Sequence, residues 1–313
     1  MSRLIGLYAQ HLGAAPSCRY ESEAEYEAAV ARAAELIERA DAVVVGIGSG
    51  MSSACGYDHY HPAPEFDEGG SLARFRHAHG FDTLMDGFYH LYASNEERWA
   101  FLAAYIEAME SAPVGRAYRQ LRGLLEGREY FVLTTNVDGQ VRRSFPEDRV
   151  WLFQGDFGFL QCSQPCCDER WGAAEHAQRI LQALGCDETV APSDLMPRCP
   201  HCGWLMAPWV RDEGFLEGAF WRAQQRRYEA FVSDALAGGG RVLFLELGVG
   251  GMTPAVIELP FWDMTARHEN AFYLRINKGK TSEPKQLGAR SLTLCADLAD
   301  AMDGICAHAQ PLA

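Results

Sequence analysis

A chain of 313 residues with 48% apolar side chains can build one large α/β domain carrying an inserted module; it has no need of disulfide staples, so its 10 cysteines are expected to be thiols or metal ligands. The 28 Lys and Arg against 42 Asp and Glu leave a net charge of -14, which opposes nonspecific attraction to a phosphate backbone and argues against nucleic acid as a partner. No apolar run is long enough to span a bilayer, and Arg3, Gln10 and His11 break up residues 1–16, so the expectation is no signal peptide, no membrane partner and a cytoplasmic location.

In chain order, residues 21–40 place Tyr26, Ala29, Val30, Ala33 and Ile37 at helical spacing among Glu and Arg, which predicts an amphipathic helix. Asp41 breaks that pattern, and the β-branched run Ala42-Val43-Val44-Val45 predicts a buried parallel strand that ends in the glycine turn Gly46-Ile47-Gly48-Ser49-Gly50-Met51-Ser52. Residues 57–121 carry no such strand and are rich in His, Phe, Tyr and Asp, which predicts a helical module with a mobile loop at its start. Further strands are expected at 130–135, 149–153, 242–248, 271–276 and 291–295, with helix-like stretches such as 220–236 between them. Six buried strands with intervening helices imply a doubly wound, Rossmann-like parallel sheet. Residues 161–211 have little apolar periodicity, several Pro and Gly and the cysteine pairs, so they read as a small metal-held insertion. The expected division is 1–56 with 122–160 and 212–313 as the Rossmann-like domain, 57–121 as the helical module and 161–211 as the metal-held module.

The glycine turn would let backbone amides approach a pyrophosphate closely, because side chains at those positions would block it, and a dinucleotide is its natural ligand. It departs from G-x-G-x-x-G, since Met51 or Ser53 occupies the third glycine position depending on the frame, and the other reading is a tight strand-to-helix turn without a ligand. Cys162 and Cys166 with Cys199 and Cys202 form two close pairs suited to tetrahedral zinc in a closed, structural site, Cys167 competing with Cys166 for one ligand position. Asn136 and Asp138, at the carboxyl end of an expected strand, either orient a ribose and a carboxamide or cap the following helix.

Taken together, these residues resemble the sirtuin family over most of the chain, from about 43 to 295. Gly48-Ser49-Gly50-Met51-Ser52 is similar to the sirtuin glycine-serine motif, Thr135-Asn136-Val137-Asp138 to its Asn-x-Asp motif, the cysteine pairs to its structural zinc and Ile276-Asn277 to its adenosine-contacting Ile-Asn. Gln154-Gly155 falls where most sirtuins have His-Gly. The resemblance is strongest to the divergent macrodomain-linked, class M sirtuins, which share Phe-Gln-Gly-Asp-Phe-Gly at 153–158, the cysteine run at 160–166 and Leu245-Glu246-Leu247-Gly248-Val249-Gly250 with Thr253-Pro254. Met252 departs from that pattern, where those relatives have Asn, and Pro208-Trp209-Val210-Arg211 stands in place of the substrate-clamping segment of deacylating sirtuins. What the resemblance implies is NAD bound by Gly46, Gly48, Ser49, Gly50, Met51, Ser52, Tyr57, Gly248, Val249, Gly250, Thr253, Asn277 and Cys295, with Asn136, Asp138 and Gln154 at the reacting end.

Deacylation needs a general base for a ribose hydroxyl, a task that suits imidazole near neutral pH and that the Gln154 amide cannot perform. Transfer of ADP-ribose to a protein demands less of position 154, and class M relatives are known for it. The resemblance implies a target such as a lipoylated carrier protein and a macrodomain hydrolase that reverses the mark. Protein-lysine deacylation, bare NAD hydrolysis and silent NAD or ADP-ribose binding are the alternatives. His59, His61, His77, His79 and His90 lie in the module that closes over NAD in sirtuins, where one of them could reach the ribose and substitute for the missing base, but isolated loop histidines are more often solvated. Tyr57, Asp58, Tyr60, Phe81, Asp82 and Tyr89 of the same module bury the nicotinamide end or simply pack, and Pro260-Phe261-Trp262 reads as core or as the edge of a lid, core being favoured.

Overall fold

The computed structural model describes residues 20, 22–185, 188–251, 254–278 and 285–309. Its strands are β1 (Ala42–Ile47), β2 (Glu129–Thr134), β3 (Val150–Leu152), β4 (Gly155–Cys162), β5 (Trp171–Gly172), β6 (Met206–Val210), β7 (Val242–Leu247), β8 (Ala271–Ile276) and β9 (Ser291–Leu294). The helices are α1 (Glu23–Glu38), α2 (Ser49–Ser53), α3 (Ala73–His79), α4 (Leu84–Tyr89), α5 (Asn95–Ser111), α6 (Arg116–Leu125), α7 (Gln140–Ser144), α8 (Ala174–Ala183), α9 (Ala219–Ala237), α10 (Glu258–Arg267) and α11 (Leu298–His308). Every strand and helix expected from the sequence forms, with bounds shifted by two residues at most.

Six strands make one parallel sheet in the order β3-β2-β1-β7-β8-β9. All six positions of β1 and of β7 are buried, as expected where helices cover both faces and β-branched side chains pack on each. The strand order reverses between β1 and β7, and the register sets Ile47 beside both Thr134 and Leu247. The loops that leave β1, β2 and β7 therefore emerge at one level at the carboxyl edge, where an open α/β sheet offers a crevice. Between β7, β8 and α10, the guanidinium of Arg275 bonds Glu246 at 3.0 Å and Glu258 at 2.8 Å, and Tyr273 donates to Glu246 at 2.8 Å, all out of contact with water.

A second, antiparallel sheet runs β5-β4-β6. It packs with α5 and α8 around a separate apolar cluster that includes Phe66, Phe75, Phe101, Tyr105 and Phe157. α5 is buried from Trp99 to Ile106 without a break, so it sits inside its module rather than on it. Ser22, Thr83 and Ser94 accept backbone N–H bonds at the starts of α1, α4 and α5, and Asp86 completes a capping box with Thr83. α6 runs through the expected boundary at 121, and β4 through the one at 160. Phe261 and Trp262 are core residues. Among the described residues no helix is long and apolar enough to cross a membrane.

Candidate functional site

A cleft of about 850 Å³ lies over the strand-order reversal. Its middle is lined by Ser49 and Gly50 from the turn after β1 and by Gly248, Val249, Gly250 and Gly251 after β7. These two loops touch through backbone alone: a Cβ on Gly50 would stand 2.7 Å from the Cα of Gly248, and one on Gly48 would stand 2.6 Å from the Cα of Val249. Glycine is required at those positions by this close approach, whatever lies in the cleft. Gly46, by contrast, faces Ile257 and Phe261 inside the core, and Met51 and Ser52 are fully buried behind the turn.

One end of the cleft is formed by Asn277, Lys278, Asp297 and Leu298. The Asn277 amide donates to the carbonyl of Val249 at 2.9 Å, which fixes the loop after β7. Cys295 is set back, its thiol 3.6 Å from the carbonyl of Lys278, and Tyr57 points its hydroxyl at the carbonyl of Pro113; neither lines the cleft. Thr253, with Met252, lies outside the described residues.

At the other end Asn136, Val137 and Gln154 meet Met85, Phe88 and Phe157. Asn136 is pinned by its side-chain amide, which donates to the carbonyl of Gly48 at 2.9 Å, to Ser52 Oγ at 3.0 Å and to Tyr118 Oη at 3.2 Å. Asp138 does not line the cleft; it is 2% exposed and sits behind the wall. One of its oxygens accepts from the backbone N–H of Gln140 at 3.0 Å, which turns the chain into α7, but the cap position anticipated for it is taken by Gly139, whose left-handed backbone starts the helix. The other accepts from Ser52 Oγ and lies 3.6 Å from His59 Nε2. Burial pushes this carboxyl up, but His59, Ser52 and the Gln140 N–H outweigh it and leave its pKa below the usual value.

His59 is the main residue that sequence reasoning undervalued. Of the five histidines in the helical module it alone is buried, at 8% exposure, and it lines the cleft with Nδ1 3.1 Å from Tyr105 Oη. His61 also lines the cleft but is paired with Asp58 in a largely exposed position, while His79 and His90 stack with Phe81 and Tyr92. Asp58, Tyr60 and Tyr89 line the cleft, whereas Phe81 is core and Asp82 pairs with Arg76. Val210 and Arg211 line it as well; β6 is hydrogen-bonded into the small sheet, and Arg211 donates to the carbonyl of Phe153. Two residues beyond Gln154, Asp156 is buried, and burial pushes its carboxyl up to about 6 although Arg142 sits 3.2 Å away.

Far along the small sheet, the sulfurs of Cys162, Cys166, Cys199 and Cys202 all lie within 4.8 Å of one another. The pairs Cys162–Cys202 and Cys166–Cys199 are 3.5 and 3.6 Å apart. Four thiolates around zinc at about 2.3 Å would stand roughly 3.8 Å apart, so the donor set and its spacing fit a tetrahedral zinc ion. Cys166 rather than Cys167 completes the group. Gly203 turns the chain so that its N–H bonds the carbonyl of Cys199 at 2.9 Å, which closes the second knuckle.

No family profile matches the chain. A Protein ADP-ribosyltransferase of Staphylococcus aureus (strain Mu50) is 32% identical over 266 residues, covering 84% of this chain and 82% of that one. A Fusarium oxysporum f. sp. cubense protein, named as a probable bifunctional ADP-ribose hydrolase/ADP-ribosyltransferase, is 29% identical over 79% of this chain, and the match spans 42% of its length. Among solved structures, Sir2 with a peptide and NAD superimposes with a TM-score of 0.55 at 20% identity over 87% of this chain and 95% of that one, and Sir2 bound to acetylated peptide with 0.55 at 21% over 87% and 94%. The fold is thus that of Sir2, and with a relative 32% identical over most of both sequences, the chain belongs to the sirtuin family as a divergent member.

Proposed function

We propose that the protein is an NAD-dependent protein ADP-ribosyltransferase. The observation that carries this reading is that position 154, where most sirtuins have histidine, lines the cleft together with Asn136 and holds an amide, Gln154. In this reading NAD is a substrate. Its pyrophosphate lies against Ser49, Gly50, Gly248, Val249 and Gly250, and its adenosine lies toward Asn277, while Gly46, Gly48, Met51 and Ser52 shape the turn from behind. Tyr57 and Cys295 stand outside the lining of the cleft. The parallel sheet and its helices form the NAD-binding part, the helical module between α2 and α6 covers it, and the small sheet carries the module held by zinc, which supplies no chemistry beyond cross-linking the four cysteines.

Breaking the bond between nicotinamide and C1′ develops positive charge on the ribose, and the loss of nicotinamide is favoured where the sugar is oriented and water is kept out. Asn136, fixed by three acceptors, and Gln154 orient the ribose; Asp138 keeps Asn136 in register through Ser52. Phe88, Phe157, Val137 and Met85 present apolar surface at that end. Deacylation would further require a base at position 154, where an amide neither takes a proton nor carries charge. The acceptor is a protein; a lipoylated carrier is the finer form of the reading. A macrodomain hydrolase that reverses the mark is a second finer form of the reading; the name of the Fusarium relative joins an ADP-ribose hydrolase to the transferase in one protein.

Intact-mass spectrometry of a lipoylated carrier protein and of an acetyl-lysine peptide, each incubated with the enzyme and NAD, tests this. The expected outcome is one ADP-ribose added to the carrier, reduced about 10²- to 10³-fold by Asn136→Ala, as for loss of one preorganised donor. Loss of the acetyl group from the peptide, or free ADP-ribose with no labelled protein, would replace transfer by deacylation or by NAD hydrolysis.

A further inference from the structure

An acceptor that bonds to C1′ through an O–H, N–H or S–H must lose its proton, and Gln154 cannot take it. His59 stands at that end of the cleft with Asn136 and Gln154. Its position is set by the surrounding structure: its own carbonyl accepts from the N–H of Met85 at 3.2 Å, Tyr105 Oη lies 3.1 Å from Nδ1, and the neighbouring Asp58 carboxylate accepts from the N–H of Tyr60 and His61. Nε2 is 3.6 Å from Asp138, too far for a hydrogen bond and near enough for a carboxylate to stabilise an imidazolium. With Nδ1 turned to Tyr105, the ring nitrogen left to take a proton is Nε2, and the carboxylate beside it stabilises the cation that results; catalytic contacts of this kind are often long before substrate binds.

Resting on the ADP-ribosyl-transfer reading, we propose that His59 is the general base that takes the proton of the acceptor as it bonds to C1′, a task separate from deprotonating a ribose hydroxyl, for which position 154 is the place. The bond from C1′ to the nicotinamide nitrogen breaks, and its electron pair leaves with neutral nicotinamide. The acceptor heteroatom bonds to C1′, and its proton passes to His59 Nε2, leaving an imidazolium facing Asp138 that later returns the proton to solvent. Nothing is oxidised or reduced.

Two nucleophiles separate this role from a scaffolding one. Water must surrender a proton when it attacks; azide, an anion, brings none. With the full-length protein and NAD, His59→Gln is expected to slow hydrolysis about 10²- to 10⁴-fold, the usual contribution of a positioned base, and to leave ADP-ribosyl azide formation within about threefold of wild type. The azide reaction also reports that the variant is folded. Should His59→Gln not fold, His59→Ala with added imidazole serves instead, and imidazole is expected to restore hydrolysis at least tenfold. Equal losses with both nucleophiles, unimpaired hydrolysis, or a selective loss in His61→Gln in place of His59→Gln would each overturn the assignment. Wild-type protein that releases nicotinamide with neither nucleophile would bring down the transfer reading itself, and the role of His59 with it, an outcome distinct from the others.

Discussion

The protein buries two ionic networks that differ in one respect. The one formed by Glu246, Arg275, Glu258 and Tyr273 is closed on every side, with Arg275 covered by Trp262 and Tyr273 as well as paired with two carboxylates. The one formed by Asp138, Ser52, Asn136, Tyr118 and His59 is just as deep at its centre but opens to the cleft through Asn136 and His59. In the first, charge answers charge. In the second, a lone carboxylate is held by neutral hydroxyls, a backbone N–H and a titratable ring. A closed network fixes the packing of β7, β8 and α10 and does nothing else; an open one fixes side chains whose other face is left for a ligand.

The largest effect that would break this comparison is on the closed side. Arg275→Met leaves two carboxylates facing each other without their cation, and is expected to lower the free energy of unfolding by about 3–5 kcal/mol in urea titrations, with nicotinamide release per folded molecule unchanged. Replacing Glu246, Arg275 and Glu258 together by Leu, Met and Leu is expected to restore most of that loss, because no buried charge is then left uncompensated. If the single change proves harmless, the closed network is not what secures those elements.

The strands that carry the closed network were legible in the sequence, while its charges and much of the open side were not. The β-branched run 42–45 and the later strands announced themselves because burial on both faces demands unbroken apolar runs. The glycine turn, Asn136 and the cysteine pairs were legible because their chemistry depends on near neighbours in sequence. His59 was not: whether a loop histidine is solvated or set against Asp138, 79 positions further on, is decided by how α5 and α6 pack, and spacing carries no trace of it. The same holds for Asp138, where the sequence offered a ligand contact or a helix cap; Gly139 takes the cap position of α7, and the carboxylate bonds the Gln140 N–H and joins the network behind the wall. α5 hides its amphipathicity because it is buried on all sides.

Asp156 is an intermediate case that sharpens the comparison: a buried carboxylate with one cation, Arg142, which is itself shared with Glu110. Burial pushes its carboxyl from an ordinary 3.8 up to about 6, so the folded protein holds this proton more tightly than the unfolded chain. The stability this gives is full below pH 3.8 and is lost as pH rises through about 6. Asp156→Asn removes the titration. Its melting temperature relative to wild type is therefore expected to climb between pH 4 and 6 and then level, corresponding to a relative gain of up to about 3 kcal/mol. A difference independent of pH would mean that Arg142 neutralises Asp156 as fully as Arg275 does its partners.

The finest test removes the same atom from each network. Tyr273 donates to the Glu246 carboxylate at 2.8 Å, and Tyr118 shares its hydroxyl with Ser52 and Asn136 at 3.2 Å. A hydrogen bond to a charged group contributes about 1.5–3 kcal/mol and a neutral one about 1, so Tyr273→Phe should destabilise more than Tyr118→Phe in the same urea titration. Activity should rank them the other way. Tyr273→Phe is expected to leave nicotinamide release untouched, while Tyr118→Phe should lower its kcat by less than about tenfold with KM unchanged, since the Asn136 amide retains Gly48 and Ser52 as acceptors but loses one of the groups that aim it. Parallel losses in stability and rate for both variants would show that the two networks act alike and that opening to the cleft gives the second no separate role.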